Sequence, residues 1–463
     1  MSPKAPDRAP VYPCHPIKGI LSSRQPGMAL LKYLLVLVIV ILGLTTLQLS
    51  LTSLLRPLVF RKDFIQEYLL ARAVLNGVDP YLPLPELASR FLGPLPNSVL
   101  QHPTPHPPAV ALISLPLGVL SYEQAAAAWL LFEIICNVAA IYLLLLWFDR
   151  RPGLVLTSFV ALAALGWNPF FEELITGQLM TLLLLLLTGA WLALRAEHTI
   201  RGGMLLGLTI ALKLIAWPII LFLVIRKSWR AVITAGVTTA AANVAAALLM
   251  GFDNMLYYYQ EVGGTVASLY KAYEHNFSLW TVGWRVFEGT GSPVVLGFNA
   301  PPLVVAPALA RLVSFAIPLV LLGVGLVLAV RVYSFDASFS ILVCVSILVS
   351  PIAWRHYLVL ALIPLVVVGR RLVTLDWPKK ETNIVLALGL LFFISRAQLG
   401  KIILTLADQE SAMGASAEVP FAVGLLSFVP TVVVLGLTWF LWHLERAYPA
   451  GAIETRPSRR GWR

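Results

Sequence analysis

Charge is scarce in this chain. Asp, Glu, Lys and Arg make up 12% of its 463 residues, about half of the roughly 25% usual for a globular domain, which excludes a conventional solvated surface. Cysteine is scarcer still. Cys14, Cys136 and Cys344, the last two inside apolar runs, imply neither a disulfide framework nor a metal-binding pair. The seven histidines lack ligand spacing and the carboxylates lack a metal-binding pattern, so no metal is expected. A phosphate loop, a dinucleotide fingerprint and a nucleophile elbow are all missing. Soluble nucleotides are therefore poor candidate substrates, and no cofactor is expected.

What the chain has is apolar length. Hydrophobic residues make up 59% of it, and many runs reach the roughly 20 residues needed to cross a hydrocarbon core about 30 Å thick. Leucine runs without polar alternation specify helices rather than a barrel. The expectation is an all-α polytopic membrane protein with about eleven or twelve crossings. The net charge of +11 would suit nucleic acid, but the bases sit in short clusters between apolar runs: Arg150 and Arg151, Arg195 and Arg201, Arg226 to Arg230, Arg370 and Arg371, and the tail RPSRRGWR. They read as cytoplasmic topology signals, and no nucleic-acid partner is expected.

On this basis residues 1–28 form a disordered cytoplasmic tail, 29–445 a transmembrane domain led by an uncleaved anchor, and 446–463 a basic cytoplasmic tail. Two long outer loops cover about 52–103 and 253–302. Residues 109–120 are too short to span comfortably and read as re-entrant. The segment 203–225 has basic clusters on both sides, and both should be cytoplasmic. A hairpin with LKLIAWP at its apex resolves the conflict, with Lys213 and Pro218 breaking the helix.

This topology gathers unusual polar residues on one face. RKDFIQEYLLARAVLNGVDPYL (61–82) reads as an amphipathic helix along the membrane, with Asp63 and Glu67 on one face at i, i+4, and Tyr68 and Arg72 on another. Asn76-Gly77 marks its end, and Asp79-Pro80 a turn. Solvated interfacial charges would explain this stretch equally well. SPIAWRHYLVLALIPL (350–365) sets Arg355 beside His356 after Trp354, which suits a phosphate or plain headgroup contact. Lys213 within an apolar run costs about 2.5–3.5 kcal/mol on insertion scales, so a partner or an aqueous cavity must offset it. A lipid-linked substrate fits these groups, its tail in the bilayer and its phosphate at the surface.

Four stretches together resemble glycosyltransferase family 87, polytopic enzymes of the GT-C type. DFIQEYLLARAVLNGVDPYLP is similar to the family's loop after the first span, with its tyrosine one position later. GQLMTLLLLLL with GLTIALKLIAWP, HNFSLW and SPIAWRHY follow in order. Met180, Leu214 and Phe277 stand where the family usually has asparagine, proline and glutamine. The resemblance implies a multi-pass cell-membrane enzyme that moves a sugar, with mannose as first choice, from a polyprenyl-phosphate donor to a lipid or glycan acceptor on the extracytoplasmic face, inverting the anomeric centre. It implies Asp63 as general base, with Arg61 and Lys62 favouring its carboxylate form. His356, Lys213 and Arg355 would bind the donor phosphate, and Arg72, Tyr68, Gln178, Asn276 and Trp354 would position substrate or the base helix. A secondary transporter or lipid flippase is the alternative, and a non-catalytic assembly protein a third reading.

Overall fold

The computed structural model describes residues 26–93, 101–148, 152–291, 297–409 and 417–449. The N-terminal tail, the basic C-terminal tail and Arg150–Arg151 lie largely or wholly outside these residues. Among the described residues the regular structure is almost entirely helical; two-residue strands, Phe298–Asn299 and Ala417–Glu418, pair in parallel.

The helices that place the site are α1 (Pro26–Thr52), α2 (Ile65–Leu75), α3 (Tyr122–Phe148), α4 (Leu154–Leu165), α5 (Asn168–Thr176), α6 (Met180–Arg195), α7 (Thr199–Leu212), α8 (Trp217–Ile225) and α9 (Trp229–Met250). They are followed by α10 (Pro307–Arg331), α11 (Phe335–Leu348), α12 (Leu362–Thr374), α13 (Lys379–Phe392), α14 (Arg396–Leu406) and α15 (Val429–Ala447). Five helical stretches are long and apolar enough to cross a membrane: 122–148, 229–250, 307–331, 355–374 and 421–447. Two bent pairs raise that number to seven. Other expected spans, in α1, α6, α7 and α11, are apolar helical stretches of 14–17 residues. The chain is an all-α polytopic membrane protein.

The bent pairs correct the straight spans expected at 154–171 and 383–404. The α4–α5 and α13–α14 pairs each turn by 86°. At the first, Trp167 is extended at ψ 128° and Pro169, in the first turn of α5, lacks the donor that would continue α4. At the second, the Ser395 side chain accepts from Gln398 N while the Gln398 side chain accepts from Ser395 N, a capping box that starts a new helix.

The expected hairpin at 203–225 is present. The α7 helix stops at Leu212, Lys213 is extended at φ −159°, and α8 begins at Trp217. Direction follows from packing. A Cβ on Gly203 would lie 2.5 Å from Ala231 O, and one on Gly207 2.5 Å from Ala235 O, so the contact advances four residues on both helices. Helices α7 and α9 therefore run parallel, and α8 must return to the face where α7 began. Small residues permit this approach, as is common where lipid offers no hydrophobic drive.

The α2 segment departs most from expectation. Ile65, Gln66, Glu67, Tyr68, Leu69, Leu70, Ala71 and Ala73 are all buried, so it is a core element rather than an amphipathic surface helix. It ends as expected, with Gly77 at φ +63° and Asp79 Oδ1 accepting from Tyr81 N at 2.8 Å.

Candidate active site

Asp63 is placed by a glycine turn. The α5 helix closes at Gly177, whose φ of +71° lies in the left-handed region that glycine tolerates. A Cβ there would come within 3.0 Å of Phe64 Cβ. Phe64 N donates to Thr176 O at 3.1 Å, and Trp129 Nε1 donates to Gly177 O at 3.0 Å. The next residue, Gln178, then donates from Nε2 to Asp63 Oδ2 at 3.0 Å. The TGQ and KDF stretches, 115 residues apart, thus form one unit.

Asp63 is half-buried and opens into a cavity of about 600 Å3. Burial pushes its carboxyl above the usual aspartate range. The Gln178 hydrogen bond opposes the rise, Glu67 adds to it, and His106 and Arg396 oppose it. Of the two bases expected to favour the carboxylate, Lys62 attracts Asp63 through its charge while spending its hydrogen bonds elsewhere. Arg61 is exposed, and Lys62 turns its ammonium to Leu174 O (2.8 Å), Ile175 O (2.8 Å) and Ser53 Oγ (3.0 Å). Burial lowers Lys62 to about 8 against the pull of Glu133 and Asp63.

The cavity also takes in Gln178, Lys213, Trp354, Arg355 and His356. Lys213 Nζ sits 4.3 Å above the centre of the Tyr357 ring, and the break in the helix is what frees this side chain to reach the cavity. His356 is 5% exposed, and its Nε2 has no hydrogen-bond partner among the described residues. Arg355 Nη1 donates to Ile394 O at the second bend. Trp354 meets Tyr270 and Tyr273 edge to face at 5.1 and 5.5 Å, and Tyr270 Oη lies 2.9 Å from His102 Nε2.

Tyr68, Arg72 and Asn276 are not on the cavity wall. Tyr68 Oη donates to Leu120 O at 2.9 Å, and Arg72 Nη1 donates to Gly118 O at 3.1 Å. Both fasten α2 to residues 118–120, so they hold the helix behind Asp63 rather than a substrate. Asn276 is fully buried and saturated. Its Nδ2 donates to Tyr270 O (3.1 Å) and Pro351 O (3.2 Å), while its Oδ1 accepts from Ser278 N (3.1 Å) and Ala353 N (2.9 Å). It staples the HNFSLW loop to the SPIAW segment, and substrate positioning by Asn276 is replaced by that structural role.

Several wall residues carry no motif. His102 and His106 come from the proline-rich QHPTPHPP and Tyr273 from the second loop, while His275, also on the wall, opens the HNFSLW stretch. Arg396 comes from the second bend, where its backbone N donates to Glu172 Oε1 at 3.4 Å and its Nη2 to Tyr273 Oη at 3.3 Å. Burial, then Arg396 and Arg355, push His275 down to about 2, leaving it neutral beside two guanidinium groups. The two histidines flanking the prolines are a signal that sequence reasoning could have used; Arg396, in an ordinary apolar stretch, offers none. Of the three departures from the family pattern, Met180 and Phe277 are buried and off the cavity wall, and only Leu214 lines it.

The cavity is thus lined by two carboxyl groups, Asp63 and Glu172, by cationic and imidazole groups and by aromatic rings. Such a site can take a proton from a hydroxyl and hold an anion close by. The described residues contain no group of three or more His, Cys, Asp or Glu placed to hold a metal ion.

An alpha-(1->3)-arabinofuranosyltransferase of Mycobacterium tuberculosis, in strains CDC 1551 / Oshkosh and ATCC 25618 / H37Rv, is 32% identical to this chain over 161 residues. The match covers 32% of this chain and 36% of the relative, so the chain spans little more than a third of that relative's length. No solved structure matches. The model of Glycosyltransferase family 87 matches residues 105–351, a stretch that holds His106, Gln178, Lys213 and Asn276 and leaves Asp63, Arg355 and His356 to either side. Matching more than half of its length, that model places the chain within glycosyltransferase family 87.

Proposed function

We propose that the protein transfers a sugar from a polyprenyl-phosphate donor to a hydroxyl of a glycolipid or glycan acceptor, on the extracytoplasmic face of the cell membrane. The observation that carries this reading is that Asp63, Lys213 and His356, from three distant parts of the chain, line one cavity. Asp63 takes the proton of the acceptor hydroxyl as its oxygen bonds to the anomeric carbon. The bond from that carbon to the phosphate oxygen breaks on the opposite side, and the electron pair leaves with the lipid phosphate. One displacement of this kind inverts the anomeric centre.

Each part of the site has a task in that step. A general base must be ionised and within reach of the proton. Lys213, with His356 and Arg355, meets the charge that grows on the departing phosphate, where fixed cations in a water-poor site act most strongly. Trp354, Tyr270 and Tyr273 supply aromatic surface in the cavity against which a sugar can pack.

The donor sugar is read as mannose from the motif resemblance. The activity for which the mycobacterial relatives are named favours a second reading, a pentofuranose. The test is transfer by the purified full chain from labelled polyprenyl-phosphate mannose and from its arabinofuranose counterpart, with a glycolipid extract as acceptor. A product heavier by one hexose supports the first reading and one heavier by one pentose the second. Substrate flux into sealed vesicles without a covalent product would overturn both.

A further inference from the structure

His102 and Tyr270 meet on the cavity wall, and the atoms around them fix which one gives the proton. His102 Nδ1 stands 2.6 Å from Pro103 O, and its Nε2 2.9 Å from Tyr270 Oη. A carbonyl oxygen can only accept, so the ring hydrogen of the neutral imidazole sits on Nδ1. Burial lowers His102 below its ordinary range, toward that neutral ring. Nε2 is then a bare acceptor, and Tyr270 Oη donates to it.

The pair is held at both ends. Leu84 N donates to His102 O at 3.1 Å, and Pro103 and Pro105 restrict the chain beyond it. Tyr258 Oη fastens the same stretch by donating to Pro105 O at 2.9 Å. On the other side, Tyr270 O accepts from Asn276 Nδ2 at 3.1 Å, and the ring of Tyr270 meets those of Trp354 and Tyr273 at 5.1 and 5.6 Å. With its one hydrogen committed, the Tyr270 hydroxyl keeps its lone pairs, and among the described residues none donates to that oxygen. Tyr273 differs, because its Oη accepts from Arg396 Nη2.

We propose that Tyr270 is a specificity-determining residue: with its proton held by His102, its oxygen accepts a hydrogen bond from a hydroxyl of the transferred sugar and disfavours a sugar that lacks a donor there. The inference rests on the cavity being a site of sugar transfer from a lipid phosphate, as read above. Trp354, against which Tyr270 packs, precedes Arg355 and His356, the groups given to the donor phosphate, so the sugar next to that phosphate is the one this wall meets. A hydroxyl that donates to an imidazole is a better acceptor for a second bond. A sugar without the matching hydroxyl leaves that oxygen unpaired in a confined site, which is a strong basis for discrimination.

The experiment measures kcat/KM of the full chain in lipid for wild type, Tyr270→Phe and His102→Leu. The donors are labelled polyprenyl-phosphate mannose, its arabinofuranose counterpart, and the deoxy and deoxyfluoro analogues of each at every hydroxyl of the sugar. Comparing two proteins on the same pair of donors cancels the reactivity of the donors themselves. The preference for the parent over one deoxy donor should be about tenfold greater in wild type than in Tyr270→Phe. In His102→Leu the hydroxyl proton is free to turn to the cavity, so the matching deoxyfluoro donor, which accepts but cannot donate, should gain severalfold on the deoxy one relative to wild type. A Tyr270→Phe variant that slows every donor by one factor marks a bond that merely joins two loops, and overturns the inference. Should Tyr270→Phe fail to insert, His102→Leu gives the readout alone: an unchanged ranking of deoxyfluoro and deoxy donors overturns the inference. Wild type that forms no product from either parent donor ends the transfer reading itself, whereas product formed with one donor ranking in all three proteins ends only the role of Tyr270.

Discussion

The two polar loops resemble each other in composition and differ in what their polar atoms do. The first, through Asp63 and Gln178, leaves a carboxylate open to a cavity with one hydrogen bond from a side chain. The second, through Asn276, uses both donors and both acceptor positions of its most prominent polar side chain on the backbone of its own loop and of 351–353. Both stretches carry motifs of the same family. A saturated amide holds two segments in register, whereas an unsaturated group facing a cavity is free to meet a substrate. His356, from the segment that Asn276 clamps, belongs with Asp63 by this measure.

Substitutions can break or sharpen that contrast. The largest effect is expected from Asp63→Asn, which removes the base but keeps the shape; turnover of a labelled polyprenyl-phosphate sugar should fall by about 10²–10⁴ while the protein still inserts and elutes as wild type. Lys213→Ala should cost on the order of 10² in kcat, measured in the same assay, with the loss in kcat rather than in folding. Asn276→Ala should do the reverse. Leaving Ser278 N and Ala353 N without their acceptor should destabilise the fold by about 2–3 kcal/mol, read as a lower Tm in detergent, with kcat of the folded fraction within severalfold of wild type.

Gln178→Leu should give the smallest effect and the most diagnostic. The Gln178 hydrogen bond favours the carboxylate form of Asp63, so its loss raises an already elevated carboxyl further. Since the ionised form is the active one, activity on acidification should be lost at higher pH than in wild type, with the alkaline side unchanged.

Much of this was legible in the sequence, and the reasons differ by residue. The α7–α8 hairpin was readable because basic clusters on both flanks and Lys213 within an apolar run leave few alternatives. The Asn76-Gly77 stop and the Asp79 turn followed from local backbone chemistry. The burial of α2 was not readable, because a carboxylate in an apolar stretch describes a surface helix and a buried one equally well; only the neighbour of Glu67, His106, 39 residues downstream, separates the two cases. The roles of Tyr68, Arg72 and Asn276 depended on which carbonyls lie opposite them, a matter of tertiary packing. The bends at Asn168 and Ser395 had local signals, a proline and a capping box, that long apolar runs obscured. Arg396 had no local signal at all.

That last residue bears on what counts as the whole enzyme. Ile394 and Arg396 flank the start of α14, well past the end of the family match at residue 351. Yet Ile394 O receives Arg355 Nη1, and the Arg396 guanidinium forms part of the cavity wall. A chain cut after Thr374 would retain all four recognisable stretches and still lack one side of its reaction chamber. The apolar C-terminal fifth is therefore built into the machinery, and a shortened protein carrying every signature would be a poor guide to what the intact one does.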